Sequence, residues 1–436
     1  MSCQDRLSQW EHEVSTAFAH LSKPQIWGLV LWSAGIALCG SAGITQVSAL
    51  LALVLGQGEQ GVFQRLREWY LDANQKSGKK RRDLEVSSCF APLLAWVLRL
   101  WKSEQKQLPL VLDATTLRAR WTILTIGVVI RSCAVPVAWK VLPGNAQGSW
   151  RPHWEGLLQS VAEAIPPEWH VIVLADRGLY ARWLWEIIRA CGWHPFLRLN
   201  LGVKACKEGE QVFEWISQWV PTPGTSWKGK VACFAGKDSR VEATLLMHWE
   251  AGYESAWAIL TDLEPEEAQV SWYGLRTWIE GGFKDFKRGL WGWHHSKMTR
   301  ASCVERLWLA MALAQLWCLS LGCQAEVDQE EKLQRHEPGA SLPVHHLAHK
   351  RRKRPAGQPP ARRLSCVVRG RLQLLAMLFQ GETFSVGSLQ EEVWPQMMTP
   401  PRKPAPSRLS KKKTQKEKER RKRQKRRART RTRTRN

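Results

Sequence analysis

Three acidic residues stand where this chain can gather oxygen ligands. Asp113 closes the apolar run Leu108-Pro-Leu-Val-Leu-Asp113, Asp176 follows the apolar run Val171–Leu174, and Glu280 lies in an aromatic and basic stretch, 272–290. Hard divalent cations take carboxylate oxygens, and a pair of ions bridged by carboxylates activates the attacking oxygen and stabilises the leaving one in phosphoryl transfer. In open α/β sheets ligands collect outside the carboxyl ends of the strands. Asp113 and Asp176 therefore converge if their strands are parallel neighbours. Taken singly, an aspartate at a strand end serves equally well as a turn cap.

The third acid can be tested on a helical wheel. With Tyr273 at zero, Glu280 falls at about −20°, Lys284 at about +20°, Lys287 at about −40° and Arg276 at about −60°. Leu275, Trp278, Ile279, Phe283, Phe286 and Leu290 fall opposite. The segment is thus expected to be a helix that packs an apolar face on the core and turns a tyrosine, an acid and three bases outward. From Tyr273 to Lys287 that face is about 21 Å long, enough to follow several phosphates of a DNA strand. Gly281 and Gly282 cost roughly 1 kcal/mol each inside a helix, which suggests close approach of something beside Glu280.

The elements that must position these residues follow from apolar periodicity. Residues 1–105 have helical spacing, as in Phe63, Leu66, Trp69 and Tyr70, and read as a helical domain suited to DNA binding. Three β-rich runs follow (Leu108–Asp113, Trp121–Ile130, Val135–Leu142), then a helix near 154–164, a buried strand at Val171–Leu174, a helix near 180–190 and a strand around Phe196–Leu199. The order βββαβαβ predicts a ribonuclease-H-like α/β catalytic domain over 106–200 and 258–323. Short β-type runs spaced by Gly, Pro and Ser make 201–257 a β-rich insertion. A long helix is expected over 266–290 and a second over 303–321. Residues 324–401 are rich in Pro, His and Arg and read as loosely structured around one helix, Arg371–Phe379. The Lys/Arg tail 402–436 is of low complexity and is expected to be disordered alone.

Together these motifs form a resemblance. Tyr273-x2-Arg276-x3-Glu280-x6-Lys287 resembles the Tyr-Arg-Glu-Lys signature of bacterial insertion-sequence DDE transposases of the insertion-sequence-four-like group. LVLDATTL around Asp113 and LADRGLY around Asp176 resemble the two aspartate motifs of that group, in the same order, and the β-rich insertion falls where the group carries one. The resemblance covers roughly residues 108–320. It implies that Asp113, Asp176 and Glu280 bind two Mg²⁺ (or Mn²⁺) and catalyse cut-and-paste cleavage and joining of DNA. It implies that Tyr273, Arg276 and Lys287 hold phosphates; Lys284 joins them from the wheel. Arg198 sits where relatives place a DNA-contacting arginine, and an ordinary strand-end charge has the same pattern. Trp257 resembles a tryptophan that stacks on an extruded base, although its run AWAILTDL also suits a core strand. The implied partners are the element's terminal inverted repeats and target DNA, engaged by a homodimer in a paired-end complex.

Composition agrees with a polyanionic partner. The 436 residues are enough for two or three domains, and their formal charge is +25, from 64 Lys and Arg against 39 Asp and Glu. Residues 401–436 hold 19 Lys or Arg and 2 Glu, so the tail carries most of that excess. Such a tail gives sequence-independent affinity for nucleic acid. The run Lys76–Arg82 (KSGKKRR) is a second basic segment, for DNA contact or simple solvation. Eleven cysteines without a C-x-x-C pair, and no signal peptide, point to free thiols in a cytoplasmic, nucleoid-associated protein. The uncharged stretch Ile26–Leu55 is long enough to span a bilayer, but its Gly, Ser and Thr residues make two short buried helices the simpler reading, with no membrane partner. The 26 tryptophans serve cores or base-stacking surfaces alike. His294-His295 and His345, His346 and His349 lack zinc-like partners, Cys318 and Cys323 belong to an apolar helix, and no phosphate-cradling Gly loop calls for a nucleotide cofactor. Two rivals share these features: a catalytically inactive or domesticated DNA-binding relative, and a membrane-associated or RNA-binding basic protein.

Overall fold

A computed structural model describes residues 3–77, 81–102, 104–335, 364–391 and 394–395, all of them within one compact unit, residues 1–398. Five helices come first: α1 (Cys3–Ala17), α2 (Lys23–Cys39), α3 (Ile44–Leu55), α4 (Glu59–Tyr70) and α5 (Phe90–Leu100). The uncharged stretch is two helices, bent by 99° between α2 and α3. Gly40, at φ 66°, ends α2 in the left-handed conformation that an L side chain resists, and there the chain turns. The pair together is long and apolar enough to cross a membrane by length and composition, and so is one later helix.

The rest is built on one sheet of ten strands in the order β3-β2-β1-β4-β5-β10-β9-β8-β6-β7. The first three are β1 (Gln107–Leu117), β2 (Trp121–Ile130) and β3 (Cys133–Pro143), followed by helix α6 (Arg151–Ala162), β4 (His170–Ala175), helix α7 (Arg182–Ala190) and β5 (His194–Arg198). Their chain order is the βββαβαβ expected from the periodicity. β1 pairs antiparallel with β2 and β2 with β3, whereas β4 runs parallel to both β1 and β5. All ten residues of β2 are buried. Because successive side chains point to opposite faces, both faces of this part of the sheet are covered. The fold is thus mixed α/β.

The stretch expected as an insertion continues the same sheet: β6 (Lys204–Lys207), β7 (Glu214–Trp215), β8 (Ser226–Cys233) and β9 (Val241–His248) extend it, and β10 (Trp257–Thr261) joins β9 to β5. β-Type runs are visible in the sequence; that they share one ladder depends on long-range pairing, which is not.

Helix α9 (Ala301–Gln334) is longer than the expected 303–321 and runs through the core; 94% of its most apolar window is buried inside the protein. Helix α10 (Cys366–Gln380) lies across it at backbone contact. A Cβ on Gly322 would stand 1.8 Å from the Cys366 carbonyl oxygen, and one on Gly370 would stand 1.6 Å from that of Cys318, so neither position tolerates a side chain. Cys318 and Cys323 are buried there, as the apolar pattern predicts. The described part of 324–401 is packed rather than loose: Phe384 and Leu389 are fully buried, and the Trp317 indole donates to the Ser385 carbonyl. The tryptophans mostly fill the core. Trp10 stacks on Trp317 at 4.2 Å and joins α1 to α9, while Trp308 packs against Trp139, Phe286 and Trp293. His345, His346, His349, residues 78–80 of the basic run and the tail 402–436 lie outside the described residues.

Candidate active site

The parallel pairing of β1 with β4 sets Leu112 opposite Ala175, so the next residue of each strand, Asp113 and Asp176, emerges beside the other. Asp113 is not at a strand end, as its sequence suggests, because β1 runs on to Leu117 in its hairpin with β2; what ends there is the pairing with β4. Each carboxylate is fixed by its own backbone. The Ala114 N–H donates to Asp113 Oδ1 at 2.8 Å and the Arg177 N–H donates to Asp176 Oδ1 at 2.7 Å. Both Oδ2 atoms then face one nitrogen, Arg276 Nη2, at 2.9 and 3.3 Å. Arg276 Nη1 donates to Glu280 Oε1 at 3.2 Å. The three acids read from the sequence therefore meet around a single guanidinium.

The element that carries Arg276 and Glu280 departs from the uniform helix of the wheel. Residues Val270–Arg276 form a 3-10 helix, Thr277–Lys284 an α-helix (α8), and Asp285–Gly289 one π turn in which the Asp285 carbonyl accepts from the Leu290 and Trp291 amides. The expected start at 266 is also too early. In a 3-10 helix side chains three apart eclipse, so Tyr273 and Arg276 align. They align inward: Tyr273 is 2% exposed and Arg276 8%. Trp278, expected in the core, is 37% exposed, whereas Leu275, Ile279, Phe283 and Phe286 are buried as read. The outward polar face thus reduces to Glu280 and Lys284, with Lys287 half-buried. Gly282 has a packing reason, since a Cβ there would press on Ala134 of β3 at 3.1 Å, while Gly281 faces open space.

Tyr273 and Arg198 complete the surroundings of Asp176. The tyrosine hydroxyl donates to Asp176 Oδ1 at 3.3 Å, and Arg198 at the end of β5 lies 3.9 Å from the same oxygen. The Arg198 guanidinium sits over the rings of Tyr273 and Trp257, at 5.8 and 6.0 Å, and Trp257 packs edge-on against Tyr273. Trp257 is 5% exposed and here serves as the wall that seats these two residues, which is the core-strand alternative left open by its sequence.

The electrostatics separate the two aspartates. Burial raises the Asp113 carboxyl above its usual range, and the Glu280 and Asp176 charges add to this, against Arg276 and the Ala114 amide. Burial also works to raise Asp176, but there the Arg177 amide, Arg276 and Arg198 prevail and hold it below its usual value. Arg276 itself is raised: burial opposes its charge, and Tyr273, Asp113, Asp176 and Glu280 overcome that. Burial outweighs the Arg276 contact at 2.9 Å, and the Glu280 and Asp176 charges add to it, so Asp113 stays raised. Burial and Arg288 lower Lys287, with Asp113 acting the other way.

A basic ridge beside the acids went unread in the sequence. The three-residue turn 118–120 at the tip of the β1–β2 hairpin begins about 17 Å along the strand from Asp113. Arg118, at φ 54°, donates to the His294 carbonyl at 3.3 Å, and Arg120 to the Met298 carbonyl at 3.1 Å. Trp121 donates to the same Met298 carbonyl at 3.3 Å. These bonds tie the tip to the loop after the Glu280 helix, where Arg288 and Lys297 are exposed. Among the described residues none of these four cations has an acidic partner. The available signal was Arg118-Ala-Arg120 standing as a turn between two β runs. The His294 and His295 rings lie 3.7 Å apart, and His294 Nδ1 meets the Lys287 carbonyl.

Among the described residues no group of three His, Cys, Asp or Glu side chains is arranged to hold a metal ion; at Asp113, Asp176 and Glu280 it is Arg276 that the acids surround. Neither a protein-family model nor a curated protein matches the chain.

Proposed function

We propose that the chain is a DNA transposase of the bacterial insertion-sequence type, with a ribonuclease-H-like catalytic domain that cuts at element ends and joins them to target DNA. The observation that carries this reading is the meeting of Asp113, Asp176 and Glu280 oxygens at the end of the β1–β4 parallel pairing, around one cationic centre. The chain order β1β2β3α6β4α7β5 and the spacing of Tyr273, Arg276, Glu280 and Lys287 support it from the sequence side.

The donor set fits divalent metal. Three carboxylates without a nitrogen or sulfur ligand suit hard cations such as Mg²⁺ or Mn²⁺. Three carboxylates meet one guanidinium, and divalent cations would supply the positive charge that a single arginine leaves short. Asp113, Asp176 and Glu280 would hold the ions, which when bound supply Lewis-acid activation of the attacking oxygen and charge stabilisation at the leaving one. The Ala114 and Arg177 amides orient the two aspartates independently of Arg276. Tyr273 and Arg198 steady Asp176 from the other side. Lys284, Lys287 and the ridge of Arg118, Arg120, Arg288 and Lys297 offer a row of bases to phosphates on either side of the scissile one.

The DNA on either side of the coding sequence tests this. The expected finding is a pair of inverted repeats bounded by short direct duplications, and a duplex carrying those repeats should be nicked at their outer ends only when Mg²⁺ or Mn²⁺ is added. Flanks without repeats, or metal-independent nicking, would sink the proposal.

A further inference from the structure

Arg276 holds its position in an unusual way. Among the described residues its side chain meets only acids: Nη2 donates to Asp113 Oδ2 and stands 3.3 Å from Asp176 Oδ2, and Nη1 donates to Glu280 Oε1. Its Nε is buried with no partner, and no backbone carbonyl accepts from it among the described residues. Among the described residues the polar contacts of the guanidinium are with acids alone. The acids, in contrast, have other anchors: the Ala114 and Arg177 amides hold both Oδ1 atoms, and Tyr273 adds to Asp176. Removing the guanidinium would leave the two aspartates in place with their Oδ2 atoms free and side by side. Glu280, with its side chain 66% exposed, would give up its bond to Arg276 at little cost.

We infer that Arg276 is a built-in counter-cation of the metal site: it neutralises the acids in the metal-free protein and must leave those oxygens when divalent cations bind. The inference rests on the reading of Asp113, Asp176 and Glu280 as metal ligands. Arg276 and the metal compete for the same carboxylate oxygens, so the arginine sets the metal concentration at which the site loads. Its release also turns a positive charge loose beside the acids, where a substrate phosphate can take it up. A closed state populated about nine-tenths of the time lowers apparent metal affinity about tenfold. The arginine thereby couples loading with metal to readiness for phosphate.

The test uses the full-length chain and Mn²⁺ alone. Mn²⁺ binding is followed by the loss of the free-ion paramagnetic signal, and arginine accessibility by phenylglyoxal labelling mapped by mass spectrometry. Arg276 is expected to be protected without metal and labelled severalfold faster with saturating Mn²⁺. Arg276→Gln is expected to bind Mn²⁺ about tenfold more tightly than the wild type. Arg276→Lys keeps the charge but loses the fork that spans three acids, and is expected to fall between the two. Asp113→Asn is expected to bind Mn²⁺ weakly and to show no metal-dependent labelling of Arg276. If wild-type Mn²⁺ binding depends on Asp113 while Arg276 stays protected, or Arg276→Gln binds no tighter, the exchange is wrong and the metal site stands. If Asp113→Asn binds Mn²⁺ as well as the wild type, both are wrong.

Discussion

Two buried arginines in this molecule each meet acids, and they are held in different ways. Arg306 on α9 has its side chain 6% exposed and contacts Asp72 at 2.9 Å and Asp83 at 3.4 Å, but its Nε and Nη1 also donate to the carbonyls of Leu84 and Tyr70. It sews the segments after α4 and before α5 to the central helix. Arg276 meets three acids and no carbonyl, and its Nε is unpartnered. A guanidinium with its donors spread over backbone and side chains is part of the frame. One held by carboxylates alone stands where another cation can replace it. The contrast separates the two sites by the kind of partner rather than by burial or charge.

The sharpest way to break this comparison is to remove each arginine. Arg306→Gln takes the guanidinium from the Leu84 and Tyr70 carbonyls, while Asp72 keeps Arg300 at 3.4 Å, and should lower unfolding free energy by roughly 2–3 kcal/mol in urea melts, with no recovery on adding Mn²⁺. Arg276→Gln should cost less, roughly 1–2 kcal/mol, because Asp176 and Glu280 face solvent, and saturating Mn²⁺ should restore it. If metal rescues both variants or neither, the distinction fails.

A second contrast lies within the site helix. Asp285 stands five residues beyond Glu280 but turns inward, and burial raises its carboxyl to about 6, against a hydrogen bond from Gln315 and the charge of Lys284. Its folded-state value lies above its unfolded one. Stability from this group is therefore complete below about pH 4 and lost as pH rises through about 6. Asp285→Asn should remove that loss, giving roughly 2–3 kcal/mol of added stability at pH 8 and little change at pH 4. A gain independent of pH would show that the group is not buried as described.

The smallest expected effect belongs to the ridge. Arg118→Gln with Arg120→Gln should change stability by under about 1 kcal/mol, since each side chain is exposed and bonds one carbonyl. It should reduce the slope of log affinity for duplex DNA against log salt by about 0.9 per lost phosphate contact, measured by fluorescence anisotropy. An unchanged slope would place DNA elsewhere.

How much of this was legible in the sequence depended on the range of the interaction. Asp113 and Asp176 follow apolar runs, and their convergence needed only a parallel pairing, which β1 and β4 make. Tyr273, Arg276 and Glu280 were legible as types at a spacing. Their directions were not, because the wheel assumes about 100° per residue while 270–276 winds as a 3-10 helix at about 120°. That difference accumulates over a few residues and turns Tyr273 and Arg276 from solvent to the acids, while Trp278 comes out. The capture of Arg276 by Asp113 joins residues 163 apart in the chain, and the Arg118 bond to His294 joins residues 176 apart. No local pattern encodes such contacts. The single sheet from β3 to β7 was hidden for the same reason, although its strands were legible one by one.

The central claim is that the acids around Arg276 hold cations for DNA cleavage. Its most direct test is the cleavage of a labelled duplex carrying the flanking repeats, in Mg²⁺, by the wild type and by Asp113→Asn, with binding to the same duplex measured alongside. The account predicts that Asp113→Asn binds the duplex as the wild type does and cuts it at least about a thousandfold more slowly, an effect of roughly 4 kcal/mol on the barrier. Cleavage by Asp113→Asn at the wild-type rate would contradict it.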